Sequence, residues 1–143
     1  EKWVLAATAT AMRLAGLSRP LRSISSNSPL AVAASTHFSS PGAVFVPTHS
    51  GATARSLSHF RLPVWIVAVS SQPQTCRNLA FSYGVYPVCE PLHPEDWDGF
   101  VRRWLEEHEV KGEMVILTEG PSRKYPEVHN RMEIIDIGRQ AGG

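Results

Sequence analysis

Thr48, Ser50 and Thr53 place three hydroxyls around Gly51 in the stretch VFVPTHSGATAR, residues 44–55. A short apolar run stops at Pro47, and a run of good helix formers begins just after the hydroxyls. The backbone N–H groups of Ser50, Gly51, Ala52 and Thr53 would fall at a helix start, where they lack intrahelical acceptors and the helix dipole favours an anion. Gly51 allows a ligand close to the backbone, and His49 lies inside the same loop. The residues alone leave two readings open: a phosphate seat, or an ordinary N-cap in which Ser and Thr finish the helix. The stretch carries no Gly-Lys-Ser/Thr and no GxGxxG, so neither ATP hydrolysis nor dinucleotide binding is supported.

Other chemistry-bearing residues are sparser. Arg123 and Lys124, in EGPSRKY, follow a second expected strand end and could reach a second phosphate or simply form a solvated turn. Arg102 and Arg103 lie on a helix otherwise given to aromatics, where surface solvation is the expectation. Six histidines (37, 49, 59, 93, 108 and 129) make no HxH or HExxH pair, so no metal site is expected. Ser50 has no GxSxG around it, which argues against a hydrolase elbow. Cys76 and Cys89, thirteen residues apart, give neither a metal-ligand spacing nor a disulfide framework. Cys76, near Leu79 and Ala80, reads as a small core residue, and the pair suggests a reduced, cytosolic setting.

The elements that must position these residues alternate. Residues 2–17 read as a helix, 18–28 as a loop rich in serine and arginine, and 29–38 as a short helix capped by Ser28. After a turn at 39–42 the pattern predicts strands at 43–47, 64–69, 85–89, 114–118 and 131–137. Helices are expected at 51–60, at 73–83 with Ser70 or Ser71 as cap, and at 94–108. Trp97, Phe100, Val101, Trp104 and Leu105 recur at helical spacing, as a core-facing stripe does. The run VWIVAV is continuously apolar, as in a parallel strand buried on both faces. Strands joined by helices imply crossovers of one hand and helices on both sheet faces. The connection before the last strand shows no helical pattern, so that strand should run antiparallel at an edge.

Length and composition fit this picture. At 143 residues, 43% hydrophobic and 19% charged, the chain suits one globular domain with a real core. A net charge of +1 gives no reason to invoke nucleic acid or a membrane surface. Five of the bases and one acid fall in the first 60 residues, making that part mildly basic. No uninterrupted apolar run reaches the roughly 18–20 residues of a membrane span. The opening EKWVLAATATAMRLAGL has a poor basic region, and its apolar face is broken by Thr8, Thr10 and Arg13, so no targeting role is expected. A start without Met suggests a piece of a longer protein.

Several short motifs, in order, carry a resemblance to the C-terminal domain of pyruvate kinase. They are the strand followed by THSGATAR, then Ser58, Phe60, Arg61 and Pro63, the strand IVAV, the helix with Thr75, Arg77 and Leu79, and the closing Gly84, Val85 and Pro87. Lys111-Gly112 opens a further strand motif, with Glu113 where the family usually has Asp, and His129-Asn-Arg-Met132 leads into the last strand. The resemblance covers residues 29–137, places the domain at 29–143, and leaves 1–28 as an N-terminal helix and linker. It implies an α/β fold: a three-layer α/β/α sandwich with a five-stranded, mostly parallel sheet whose last strand is antiparallel.

The resemblance also implies a role. The parent enzyme transfers a phosphoryl group from phosphoenolpyruvate to ADP in a separate barrel domain using Mg²⁺ and K⁺. This chain would hold no cofactor and no catalytic residue of its own. It would be the cytoplasmic enzyme's allosteric and subunit-contact domain, meeting the barrel domain and other copies of itself. Thr48, His49, Ser50, Gly51, Ala52 and Thr53 would grip one phosphate of a phosphorylated effector. The second effector loop departs from the family's glycine-rich pattern, so Arg123 and Lys124 are assigned to it by place. Two rival readings are a small stand-alone phosphatase using His49 and a structural dimerisation module.

Overall fold

The computed structural model describes residues 32, 33, 36, 41–119 and 131–138. The helix expected at 2–17, the linker at 18–28, and Arg123 and Lys124 lie outside the described residues. Of the helix expected at 29–38, Val32, Ala33 and Thr36 are described and helical, and the Thr36 hydroxyl donates to the Val32 carbonyl at 2.8 Å.

The ordered elements are β1 (Ala43–Pro47), α1 (Ala52–Ser58), β2 (Trp65–Ser70), α2 (Pro73–Leu79), β3 (Val85–Cys89), α3 (Trp97–Glu107), β4 (Met114–Glu119) and β5 (Arg131–Asp136). They build a five-stranded sheet in the order β3-β2-β1-β4-β5. β1 pairs in parallel with β2 and β4, β2 pairs in parallel with β3, and β5 runs antiparallel to β4. The expected α/β architecture with an antiparallel last strand is the one observed.

Strand alternation divides the core into two layers. Val44, Val46, Ile66, Ala68, Val85 and Ile116 point to one face, where Ala54 and Leu57 of α1, Leu79 of α2, and Val32 and Ala33 cover them. Ala43, Phe45, Val67, Val69, Val115 and Leu117 point to the other, against Phe100, Val101, Trp104 and Leu105 of α3. The apolar runs in β1 and β2 are continuous because both faces are covered. Phe45 anchors the second layer, with its ring edge-to-face to Phe100 at 6.4 Å and to Trp104 at 5.5 Å. Helices α1 and α2 serve the steps from β1 to β2 to β3, and α3 carries the chain back across β1 to β4. Reversing direction while switching faces is what crossovers of one hand require.

Helix ends depart from expectation for local reasons. α2 stops at Leu79 rather than residue 83, because Ser82 N–H turns back to the Leu79 carbonyl at 2.9 Å and Gly84, at φ 67°, redirects the chain into β3. Its cap residue is Gln72, while Ser70 completes β2 and takes the Gln72 N–H on its hydroxyl at 3.2 Å. α3 begins at Trp97 rather than 94, since Asp96 Oδ1 accepts the Gly99 N–H at 3.1 Å and fixes the first turn there. Arg102 forms an ion pair with Asp98 at 2.8 Å and donates to the Asp136 and Ile137 carbonyls, so it straps α3 to the end of β5.

Candidate phosphate-binding loop

The loop at 48–51 leaves the C-terminal end of β1, beside the C-terminal end of β4. The chain runs from β1 to β2 and β3 on one side of it and then crosses back to β4 on the other, and in an open α/β sheet the strand ends at such a reversal are where ligands bind. Thr48, His49, Ser50, Gly51, Ala52 and Thr53 all lie there, so the structure brings together every residue of the first expected loop. Glu119, at the end of β4, stands on the same edge, and the chain continues from it into residues 120–130.

The loop is held from below. Thr48 N–H continues the β1–β2 ladder to the Val69 carbonyl at 2.9 Å. Gly51 is buried at φ 79°, a left-handed conformation that glycine adopts without strain. A β-carbon there would stand 3.0 Å from both Leu79 Cδ2 and Arg55 Nη1. The Arg55 guanidinium therefore lies against the loop. Thr75, buried on α2, donates its hydroxyl to the His49 carbonyl at 2.8 Å.

The helix cap is Gly51 rather than a Ser or Thr, and two of the hydroxyls bond to the loop's own backbone. Thr48 Oγ1 accepts the Gly51 N–H at 2.8 Å, and Ser50 Oγ meets the Ala52 N–H at 3.4 Å, a long bond. Two of the four N–H groups expected to be open are thus drawn inward. Among the described residues no acceptor meets the N–H of Ser50 or Thr53. His49, Ser50 and Ala52 are exposed and Thr53 is half-buried. The arrangement can offer backbone donors, hydroxyls and one guanidinium to an anion. No described side chain bonds to the His49 ring.

Two hollows lie elsewhere. One of about 450 Å³ lies between the start of α3 and β5 and is lined by Glu95, Asp96, Asp98, Glu133 and Asp136. Another, of about 580 Å³, lies between β3 and the end of α3 and is lined by Tyr86, Arg103, Trp104 and His108. Among the described residues no group of three or more His, Cys, Asp or Glu side chains could hold a metal ion. No described helix is long and apolar enough to cross a membrane.

Three contributors escaped sequence reading. Arg55 closes the stretch THSGATAR, where nothing local shows that its guanidinium folds back toward Gly51. Thr75 acts through a 26-residue separation that no local pattern reveals. Cys76 and Cys89, too far apart in sequence for any motif, come together where α2 packs on the end of β3 (the Cys76 Sγ reaches the Ser70 and Val88 carbonyls at 3.7 and 3.8 Å).

Fold and loop together define a doubly wound α/β domain with a hydroxyl-rich loop at its switch point. The family model for the pyruvate kinase alpha/beta domain matches residues 28–135, and the chain belongs to that family. Pyruvate kinase of Thermococcus litoralis is 52% identical over 46 residues, which are 32% of this chain and 10% of that protein. Pyruvate kinase of Sporosarcina psychrophila is 32% identical over 103 residues, 67% of this chain and 17% of that protein. The chain thus spans less than a fifth of either curated relative. Among solved structures, Cryptosporidium parvum pyruvate kinase in complex with ADP superposes with a TM-score of 0.68 at 22% identity, covering 91% of this chain and 27% of that one. A second structure of the same enzyme gives 0.65 at 19% identity, covering 93% and 26%.

Proposed function

We propose that this domain is the regulatory and subunit-contact part of a cytoplasmic pyruvate kinase, and that its loop at Thr48–Thr53 binds a phosphorylated small molecule. The observation that carries this reading is the loop's position and chemistry. It lies at the sheet's switch point, with the Ser50 and Thr53 N–H groups, the Ser50 hydroxyl and Arg55 available to one anion. The neighbouring loop from β4 would supply Arg123 and Lys124 to a second phosphate. Phosphoryl transfer from phosphoenolpyruvate to ADP, with Mg²⁺ and K⁺, would belong to a barrel domain elsewhere in the parent enzyme. Effector binding would act by favouring one state of an oligomer over another. The His49 phosphatase reading gains no support from geometry, since no described group orients or activates that ring.

The test is a lactate-dehydrogenase-coupled assay of the purified chain, together with calorimetric titration of sugar phosphates, nucleoside monophosphates and inorganic phosphate. The reading expects no turnover and saturable binding of at least one phosphorylated ligand. Turnover, or no binding across the panel, would overturn it.

A further inference from the structure

Cys76 and Cys89 are both free thiols. In β3, alternation places Val85, Pro87 and Cys89 on one face, and Val85 is in the core layer under α1 and α2. Cys89 is therefore on the face that α2 covers. Two carbonyls locate the other sulfur. Cys76 Sγ lies 3.8 Å from the carbonyl of Val88, which precedes Cys89. It lies 3.7 Å from the carbonyl of Ser70, which also receives the N–H of Glu90, the residue after Cys89, at 3.0 Å. Cys89 is moreover paired with Ser70 in the β2–β3 register. The Cys76 sulfur is thus fixed above the backbone of Cys89, on the side to which the Cys89 side chain projects.

We infer that Cys76 and Cys89 form a reversible dithiol–disulfide pair, oxidised by exchange with a small-molecule disulfide such as glutathione disulfide. The roles of the two sulfurs differ. Cys89 is exposed and Cys76 half-buried. Burial and the adjoining Cys89 thiol push the Cys76 thiol up to about 11. Cys89 is the entry sulfur: its thiolate attacks one sulfur of glutathione disulfide, forming a mixed disulfide and releasing one glutathione thiolate. Cys76 then gives its proton to solvent and attacks the Cys89 sulfur, displacing the second glutathione. Two protein thiols become one disulfide, and one glutathione disulfide becomes two glutathione thiols. The new bond would pin α2 to β3 one residue from Thr75, which holds the His49 carbonyl, and so would fix the helix beneath the loop.

The test is oxidation of the folded chain in glutathione redox buffers, acid quenching and tryptic mapping without reduction. Because Arg77 separates the cysteines, the expected product is peptide 62–77 joined to peptide 78–102, with the loss of two hydrogens. Closure should be favoured at least about tenfold over the same chain in denaturant, because folding presents the two sulfurs to each other. Cys76→Ser should stop at a stable mixed disulfide on Cys89, and Cys89→Ser should react at least about tenfold more slowly than Cys76→Ser. The two single variants need only fold, which circular dichroism checks, and the wild-type product stands without them. Three results would overturn the inference: a folded chain that ends as a Cys89 mixed disulfide with Cys76 still alkylatable, one that ends as linked dimers, or closure no more favourable than in denaturant.

Discussion

Thr75 and Gly51 govern the loop from beneath. Thr75 is buried and its hydroxyl bonds the His49 carbonyl at 2.8 Å, so Thr75→Val removes a donor and leaves that carbonyl beside a methyl group. We expect a loss of about 1–2 kcal/mol in urea denaturation, together with weaker anion binding. Gly51→Ala forces a left-handed alanine against Leu79 and Arg55 and should cost about 1–2 kcal/mol or more by the same measurement. The hydroxyl cluster was legible in the sequence because all its members fall within six consecutive residues. The loop contacts of Thr75 and Arg55 and the nearness of the two cysteines were not legible, because they depend on how α2 packs and on side-chain reach.

At the scale of elements, α3 was legible from the spacing of Trp97, Phe100, Val101, Trp104 and Leu105, since one face of that helix must be covered. Its first residue was not, because Pro94 looks like a helix start whereas the Asp96 carboxylate makes the actual cap. The overlong reading of α2 has the same origin: residues 80–83 suit a helix, but the bond from Ser82 to Leu79 turns the chain early so that Ile66 N–H can meet the Gly84 carbonyl at 2.9 Å. The layer under α3 depends on Phe45. Phe45→Ala would empty the space between Phe100 and Trp104 and should cost about 3–5 kcal/mol, read as a lowered denaturation midpoint at unchanged slope.

At the scale of the whole molecule, the five-stranded sheet with one antiparallel edge was legible because strand–helix alternation and crossover handedness leave few topologies. That topology places the β1 and β4 ends side by side and gives the loop its position at the switch point. The central claim is that this loop senses a phosphorylated ligand without transforming it. Its most direct test is calorimetric titration of the best ligand of the panel into the chain and into Ser50→Ala/Thr53→Ala. Both substitutions are at solvent-facing or half-buried positions and should leave the fold intact. Our account predicts saturable binding to the unaltered chain and at least about a tenfold weaker affinity in the variant, since each donor lost to a charged ligand is worth about 1.5–3 kcal/mol. Equal affinity in the two proteins would contradict it and place the ligand elsewhere on the domain.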